Sequence, residues 1–301
     1  MYIFAARSSR KLKSTMKIKY LTKQAIFKFI DSALKEDIGD GDHSTLAAIP
    51  ENLEQEARLL IKSDGVIAGI QLAEWIFNRF DPELEVTVLK QDGDVVSEGE
   101  IGLTVRGKAR SILSTERLVL NCMQRMSGIA TYTRELADMI KHTHAQLLDT
   151  RKTAPNFRIC EKWAVKIGGG ENHRFGLYDM VMLKDNHVDY AGGVKAAVAR
   201  TKKYLVDNDK DLRIEVETRN LDEVRDAIEV GGVDVIMLDN MLPSAMREAI
   251  QIIGGKCKTE ASGGITEKNI KEMAETGVDY ISIGALTHSY TSLDISLKAV
   301  K

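Results

Sequence analysis

The stretch of sequence that decides the fold spans residues 149–187 and reads DTRKTAPNFRICEKWAVKIGGGENHRFGLYDMVMLKDNH. Apolar runs at 145–148 and 180–183 predict two short buried strands, and the residues at 157–167 follow a helical pattern between them. A helix between two buried strands is a βαβ unit, in which the two strands are parallel. The stretch therefore predicts an α/β fold with a parallel sheet.

Positively charged or protonatable side chains follow these apolar runs. They are Arg151, Lys152, His173, Arg174 and Lys184. Because ligands of α/β folds bind at the carboxyl ends of the strands, we expect the five groups to converge on one cavity. Such a cavity predicts a ligand that carries several negative charges.

The alternation of strands and helices continues towards the carboxyl terminus. Strand-like runs lie at 145–148, 180–183, 212–216, 233–238, 257–261 and 279–283, with helical patterns at 192–206, 221–230, 243–253 and 267–276. Their spacing is typical of a β/α barrel, which normally has eight strands. Six strands therefore predict an open, incomplete barrel.

Polar residues stand at the ends of the later strands as well. Glu215 and Glu217 alternate onto one face of their strand and should point into the barrel, and Asp239 ends the next strand. Buried carboxylates are unfavourable unless a cation or a metal pairs with them. An ion network that only stabilises the fold would explain one such strand end, whereas six in succession favour a shared active site.

A glycine-rich segment follows the fifth strand. Ser262, Gly263 and Gly264 precede Thr266, and Gly284 stands after the next strand. Glycines let backbone N–H groups approach a phosphate, and Thr266 is a plausible N-cap for a helix whose dipole would assist. This segment predicts a phosphate site.

The first half of the chain has a different pattern. Residues 57–70 and 84–106 alternate apolar and polar positions around one helix at 71–80, which predicts an antiparallel β region. Helices are expected at 109–127 and 132–142, separated at Gly128. On this pattern alone, Arg117 would belong to a solvated helix face.

Composition excludes several classes of protein. The formal charge of −2 argues against nucleic acid as a partner, and no apolar run reaches the roughly 18 residues that cross a membrane. Three distant cysteines without a CxxC pair argue against disulfides and zinc and favour the cytoplasm. Residues 1–16 are basic, and we expect a disordered tail, with a transit peptide as the alternative. The acidic segment 36–42 fits an EF-hand poorly, so we expect a solvated loop.

Six motifs of the second half resemble those of the quinolinate phosphoribosyltransferase family. They are DTRKT at 149–153, GGGENHRFGLYD at 168–179, MLKDNH at 182–187, EVET at 215–218, MLDN at 237–240 and EASGGI at 260–265. The resemblance continues in the first half through KEDIGDGDHST at 35–45 and ERLVLNCMQRMSGIAT at 116–131, and it covers about residues 20–298. One departure is Ala154-Pro155-Asn156, where the family commonly has Thr-Pro-Gly.

The resemblance implies a division of the chain into domains. After the tail at 1–16 it implies an α/β sandwich domain at 17–128 and an open β/α barrel at 129–288 that carries the active site. We expect residues 289–301 to form a helix that packs back on the first domain. The family pattern further implies a homodimer with shared active sites, with a hexamer as the alternative.

The resemblance also implies the reaction. Quinolinate and phosphoribosyl pyrophosphate would give nicotinate mononucleotide, CO₂ and pyrophosphate with the help of Mg²⁺. The implied quinolinate-binding residues are Arg151, His173, Arg174 and Lys184, Lys152 would contact phosphoribosyl pyrophosphate, and Ser262, Gly263, Gly264 and Gly284 would bind the 5′-phosphate. Glu217 and Asp239 would hold the ribose hydroxyls and the metal, and they join Lys152 and Lys184 as the implied catalytic residues. Arg117 would reach the site of the partner subunit.

Two other functions stay open from the sequence. A paralogous phosphoribosyltransferase of the molybdenum-transport-associated type would use another acceptor base. A non-catalytic phosphate-binding regulator could also use this barrel, although it should have lost the charged strand ends, which this chain keeps.

Overall fold

The computed structural model describes residues 18–300, so the tail predicted at 1–16 lies outside the described residues. The chain forms two compact units. The first comprises the described residues up to Tyr132, together with Thr153–Gly168 and residues from Ser289 onward. The second comprises Thr133–Lys152 and Gly169–His288. Within residues 18–300, no helix has the length and apolar character that a membrane crossing needs.

Helices and an antiparallel sheet build the first unit, as the alternating pattern predicts. Its elements in chain order are α1 (Lys23–Ile38), α2 (His43–Ala48), β1 (Glu54–Ile61), β2 (Gly65–Val66), α3 (Ile70–Phe80), β3 (Glu85–Val88), β4 (Val95–Val96) and β5 (Ile101–Lys108). Strand β1 pairs with β5, β5 pairs with β3, and β2 pairs with β4, all antiparallel. Buried Leu59 lies close to Gly102, as do Ile67 and Ile70, so apolar side chains of strand and helix share one core.

One long helix, α4 (Ala109–Ile140), replaces the two helices expected at 109–127 and 132–142. The expected break at Gly128 is wrong. A Cβ atom at Gly128 would collide with the backbone carbonyl of Thr291, so the residue lets another segment approach the helix. A single glycine lowers helix propensity by only about 1 kcal/mol, which the packing of a long helix can offset.

The predicted helix at 289–301 is also wrong. Residues Ile295–Ala299 form strand β12, which pairs antiparallel with β1 and completes the sheet order β12-β1-β5-β3. The sequence ISLKA alternates buried Ile295 and Leu297 with less buried neighbours, which is the period of a strand. The segment does pack on the first unit, as expected, but by edge pairing.

The predicted domain division places helix α5 (Arg158–Gly168) in the barrel domain, because it follows a barrel strand. Its contacts place it in the first unit instead. Phe157 packs on Phe29 with ring centroids 5.6 Å apart, and Trp163 packs on Trp75 at 5.8 Å. Buried Glu161 pairs with Arg125 at 3.0 Å. These partners belong to the first unit, so the βαβ helix is not part of the barrel's compact unit.

The second unit contains the predicted parallel sheet. Its elements are β6 (Gln146–Leu148), β7 (Val181–Leu183), α6 (Asp185–Ala191), α7 (Val194–Asp207), β8 (Ile214–Thr218), α8 (Leu221–Val230), β9 (Val235–Asp239), α9 (Pro243–Ile253), β10 (Lys258–Ser262), α10 (Ile270–Ala274), β11 (Tyr280–Ser282) and α11 (Ala285–His288). The strand order is β6-β11-β10-β9-β8-β7, and every pairing is parallel. All six predicted strands are confirmed.

The barrel is open between its edge strands β6 and β7, as the count of six strands predicts. The segment after α5 continues along the free edge of β6. There the N–H of Glu171 donates to the carbonyl of Leu147 at 2.7 Å, and the N–H of Asp149 donates to the carbonyl of Glu171 at 3.2 Å. This pairing places His173 and Arg174 beside the end of the first barrel strand.

Candidate active site

The carboxyl ends of the barrel strands collect most of the predicted site residues. Lys152 follows β6, Lys184 follows β7, Glu217 lies near the end of β8, Asp239 ends β9, Ser262 ends β10 and Gly284 follows β11. The register aligns these ends, because Ser262 pairs with Asp239 and Ser282 with Leu148. The convergence expected from the sequence is therefore present, while the individual binding roles stay predictions.

Two arginines, Arg151 and Arg174, lie close enough for their charges to interact. Arg151 follows β6 and is exposed, and Arg174 is about half-buried with Nη1 3.4 Å from the carbonyl of Met180. Burial and the charge of Arg151 lower the pKa of Arg174, while Glu215 and Asp179 act in the opposite direction. Two guanidinium groups that repel each other are stabilised by an anion between them, and each can bind a carboxylate with two hydrogen bonds.

Lys184 and Glu217 form an ion pair at the ends of β7 and β8. Nζ of Lys184 lies 3.2 Å from Oε2 of Glu217. The lysine side chain keeps 49% of its exposure, whereas the glutamate keeps 9%. The carboxylate is thus fixed, while the ammonium group can also reach a ligand above the strand ends.

Two carboxylates are available for a metal ion at this end. Besides Glu217, Asp239 is partly exposed and accepts a hydrogen bond from the Asn240 side chain at 2.7 Å. Within residues 18–300, no group of three or more potential ligands includes either of them. Mg²⁺ usually keeps several waters and is bound by one or two carboxylates together with substrate phosphates, so this pair fits a Mg²⁺ that arrives with a phosphorylated substrate.

The glycine-rich segment after β10 has the backbone that a phosphate site needs. Gly263 and Gly264 have φ values of +90° and +61°, and a Cβ at Gly263 would collide with the Asn240 side chain. A Cβ at Gly284 would lie 2.9 Å from Cδ of Lys152, so this glycine makes room for the lysine. Both features agree with backbone N–H groups that are accessible to a ligand.

The expected N-cap at Thr266 is wrong. Helix α10 begins only at Ile270, and Thr266 instead lies in a turn, where its N–H donates to Oδ1 of Asn269 at 2.8 Å. With five residues, α10 adds little dipole. A phosphate here would depend on the loop's own N–H groups and on Lys152.

His173 does not lie among the exposed cations. Its side chain is 5% exposed, and its Nε2 atom is 3.1 Å from Glu215 and 3.5 Å from Glu260. Nδ1 accepts the N–H of Arg174 at 2.7 Å. Both ring nitrogens are occupied by the protein, so direct contact with a substrate carboxylate would require the ring to move.

The charge state of His173 follows from opposing influences. Burial alone would lower the pKa of His173, but the hydrogen bond to Glu215 and the nearby charges of Glu215 and Glu260 raise it to about 9. The amide hydrogen that points at Nδ1 disfavours a proton there. An imidazolium would carry a second hydrogen on Nδ1, directed at this N–H, so the geometry favours the neutral ring with its hydrogen on Nε2 although the carboxylates raise the pKa of His173.

The barrel also encloses a cavity of about 210 Å³. Its lining includes the first residues of three strands, Gln146, Val235 and Tyr280, so it belongs to the amino-terminal half of the barrel. Glu215 and Glu260 also line it. His173, Arg174 and Arg213 line the cavity as well, so positive and negative groups share it. The two glutamates would repel a dianion there, and we therefore expect the substrate at the strand ends.

Two buried acids beside His173 had no assigned role from the sequence. Fully buried Asp149 accepts the N–H of His173 at 2.9 Å and the side-chain amide of Asn172 at 2.6 Å. Glu260 is 1% exposed. Alternation could have placed Glu260 inside the barrel, because it stands two residues before Ser262 on the same strand face.

Arg117 lies on α4 in the first unit and is exposed. The solvated face expected from the helical pattern alone is confirmed for the single chain. Its implied position in a partner's site stays a prediction.

The fold and the site together define an enzyme of the open β/α-barrel class. Its strand ends present arginines and lysines, two carboxylates and a glycine-rich loop, and a substrate with several anionic groups suits such a site.

The particular family follows from two matches that together span most of the chain. Residues 42–127 match the N-terminal domain of quinolinate phosphoribosyl transferase, and residues 129–298 match its C-terminal domain. The chain belongs to the quinolinate phosphoribosyltransferase family. The sequence-based assignment is confirmed.

Relatives and solved structures agree with this assignment. The chain is 49% identical over 284 residues to the chloroplastic nicotinate-nucleotide pyrophosphorylase (carboxylating) of Oryza sativa subsp. japonica, covering 89% of this chain and 76% of the relative. It is 42% identical over 270 residues to the probable enzyme of that name in Bacillus subtilis (strain 168), covering 90% and 92%. The crystal structure of NadC from Streptococcus pyogenes superimposes with a TM-score of 0.87 at 38% identity, covering 93% of this chain and 99% of that one.

Proposed function

We propose that this chain transfers the phosphoribosyl group of phosphoribosyl pyrophosphate to quinolinate. Decarboxylation would follow, giving nicotinate mononucleotide, CO₂ and pyrophosphate for the synthesis of NAD. The observation that carries the proposal is that Arg151, which follows β6, and Arg174 are close enough for their guanidinium charges to interact. Quinolinate is a pyridine with two adjacent carboxylates, and such a pair can bind and orient it.

Orientation supplies part of the catalysis. Arg151 and Arg174 would hold the carboxylates while Lys184 adds a third positive charge, so that the pyridine nitrogen faces the anomeric carbon of the ribose. Fixing the two reactants in this way removes much of the entropic part of the activation barrier that the uncatalysed reaction has to cross. Ribosylation of the nitrogen then makes the ring electron-poor, which favours the loss of the adjacent carboxylate as CO₂.

Carboxylates supply the electrostatic part. Loss of pyrophosphate builds positive charge on the ribose, and Glu217 and Asp239 are placed to stabilise that charge. The same two residues would hold Mg²⁺ together with pyrophosphate oxygens, and the bound ion would neutralise charge on the leaving group. Lys152 and the loop of Ser262, Gly263, Gly264 and Gly284 would bind the 5′-phosphate and the pyrophosphate.

The proposal extends to assembly and location. We propose a homodimer, or a hexamer built from it, in which Arg117 of one subunit enters the site of the other. Exposure of Arg117 on α4 supports this, since an exposed side chain is accessible to a second subunit. A cytoplasmic location is supported by three free cysteines, of which Cys122 and Cys160 are buried.

An acceptor assay tests the reaction. Pyrophosphate release should require phosphoribosyl pyrophosphate and quinolinate, and nicotinate should not replace quinolinate. One CO₂ should appear for each pyrophosphate. Release with nicotinate, or with neither pyridine, would contradict the proposal, and the relatives that carry the carboxylating activity in their names do not favour the paralogue with another base.

A further inference from the structure

The buried imidazole of His173 links the barrel interior to the arginine pair. Its Nδ1 accepts the backbone N–H of Arg174 at 2.7 Å, so the ring fixes the direction of the chain at that arginine. Asp149 holds the other side of the same segment through the N–H of His173 at 2.9 Å. The orientation of Arg174 therefore depends on the position of the ring.

Two glutamates hold the ring from the opposite side. Nε2 lies 3.1 Å and 3.3 Å from the two oxygens of Glu215 and 3.5 Å from Glu260. The glutamates are 1% exposed and come from strands β8 and β10, which β9 separates in the parallel sheet. The ring is thus held between its own backbone and two strands.

Neither carboxylate is placed for the stability of the barrel alone. Within residues 18–300, both oxygens of Glu260 lack a hydrogen-bond partner. Such a buried group is unfavourable by about 1–3 kcal/mol, more when it is charged, and the nearby hydrogen on Nε2 offsets only part of that.

The orientation of the His173 ring disfavours a metal ion between His173, Glu215 and Glu260. The three groups could bring one ligand atom each within 4.8 Å of one another. A histidine that ligates through Nε2 normally donates the hydrogen of Nδ1 to a neighbour. Here Nδ1 accepts a hydrogen bond, so its hydrogen stands on Nε2 and blocks the ligating lone pair.

We propose that Glu215 and Glu260 are positioning residues which hold His173, and through its ring the backbone of Arg174, so that the two guanidinium groups stand together for the substrate carboxylates. The inference rests on the proposed function, because it assigns Arg174 to quinolinate. It gives His173 an indirect part in quinolinate binding, in addition to the direct contact that the family resemblance implies.

Kinetics of three variants test this assignment. Glu260→Ala should raise the KM for quinolinate about tenfold, while the KM for phosphoribosyl pyrophosphate and kcat change less than about threefold. Glu260→Gln keeps an oxygen that accepts the Nε2 hydrogen and should restore the KM to within about threefold of wild type. Val216→Ala, on the same strand as Glu215, is the matched control. It removes buried volume and should lower the melting temperature without changing the KM for quinolinate.

A spectroscopic measurement separates this inference from the function. Long-range ¹H–¹⁵N spectra should show one imidazole with a hydrogen on Nε2 and a bare, hydrogen-bonded Nδ1, a signal absent in His173→Gln. In Glu260→Ala this signal should shift or broaden, whatever reaction the enzyme catalyses. If wild type uses quinolinate but Glu260→Ala matches Val216→Ala in its KM, the inference is wrong. A stoichiometric metal ion lost on Glu260→Ala would also overturn it, whereas wild type inactive with quinolinate would contradict the proposed function alone.

Discussion

The carboxyl ends of the barrel strands and the barrel interior differ in the exposure and in the partners of their charged side chains. At the strand ends Lys184 is 49% exposed and Arg151 is exposed beside another cation. In the interior, His173 is 5% exposed and both its ring nitrogens have protein partners. The first region keeps cations accessible for a ligand, while the second uses its charges within the protein.

The difference shows which charged groups a substrate can reach. Exposed charges at the strand ends lose little by remaining unpaired, since water solvates them until a ligand arrives. Buried charges need protein partners at all times. Substitutions at the strand ends should therefore reduce activity without much loss of stability, whereas interior substitutions should act on binding through the structure.

Removal of divalent metal should have the largest effect on the strand ends. In EDTA, pyrophosphate release should fall to background. Without Mg²⁺ no cation neutralises the charge of the leaving pyrophosphate, and the negatively charged Glu217 and Asp239 cannot take its place. Excess Mg²⁺ should restore the rate, and the melting temperature should hardly change because neither carboxylate is part of a closed metal cage. Full turnover in chelator would favour a metal-free mechanism.

Lys184→Ala should lower kcat/KM about a hundredfold, which corresponds to about 2.7 kcal/mol. The change removes a cation from the site and leaves Glu217, whose side chain is 9% exposed, without its ion pair. Lys203→Ala is the matched control, since that lysine pairs with Asp207 on the exposed face of α7. Steady-state kinetics of both variants check this, and equal activity would remove Lys184 from the site.

Arg174→Lys should raise the KM for quinolinate about tenfold, or about 1.4 kcal/mol. A lysine keeps the charge but cannot bind a carboxylate through two parallel hydrogen bonds. The KM for phosphoribosyl pyrophosphate should stay nearly constant in the same assay. An unchanged KM for quinolinate would separate Arg174 from the acceptor.

A subunit-mixing experiment tests whether the strand ends are complete within one chain. Inactive Arg117→Ala and Lys184→Ala chains, allowed to exchange, should regain activity approaching about a quarter of wild type. Half of the random dimers are then mixed, and each mixed dimer has one intact site by two-fold symmetry. A mixture that stays inactive, although mass spectrometry shows exchange, would place Arg117 in its own chain's site or outside any site.

The sequence predicts the strand-end region better than the interior. Strand β8, with Glu217, and strand β9, with Asp239, follow from apolar runs that end in acids, because parallel strands must end at one edge. The position of His173 cannot be predicted from the sequence. It depends on hydrogen bonds along the edge of β6 between residues that are distant in the sequence.

The wrong predictions of the fold have the same cause, because contacts between distant parts of the chain decide the structure there. In the sequence Gly128 resembles a helix break, and only the structure shows that it makes room for the backbone of Thr291 beside the helix. Residues 295–299 form a strand by pairing with β1, which is distant in the sequence. Asn156 adopts φ +62° where the family commonly has glycine. Asparagine tolerates this conformation better than most residues, so it can adopt here the backbone that a glycine would adopt.

The most direct test of the central claim is calorimetric titration of the wild-type protein with quinolinate and with nicotinate. If Arg151 and Arg174 form a site for two carboxylates, quinolinate should bind at least about tenfold more tightly than nicotinate, which has one. Arg151→Met should reduce that preference, whereas Val216→Ala should keep it. Equal affinity for the two pyridines would contradict the claim that the exposed arginine pair is the acceptor site.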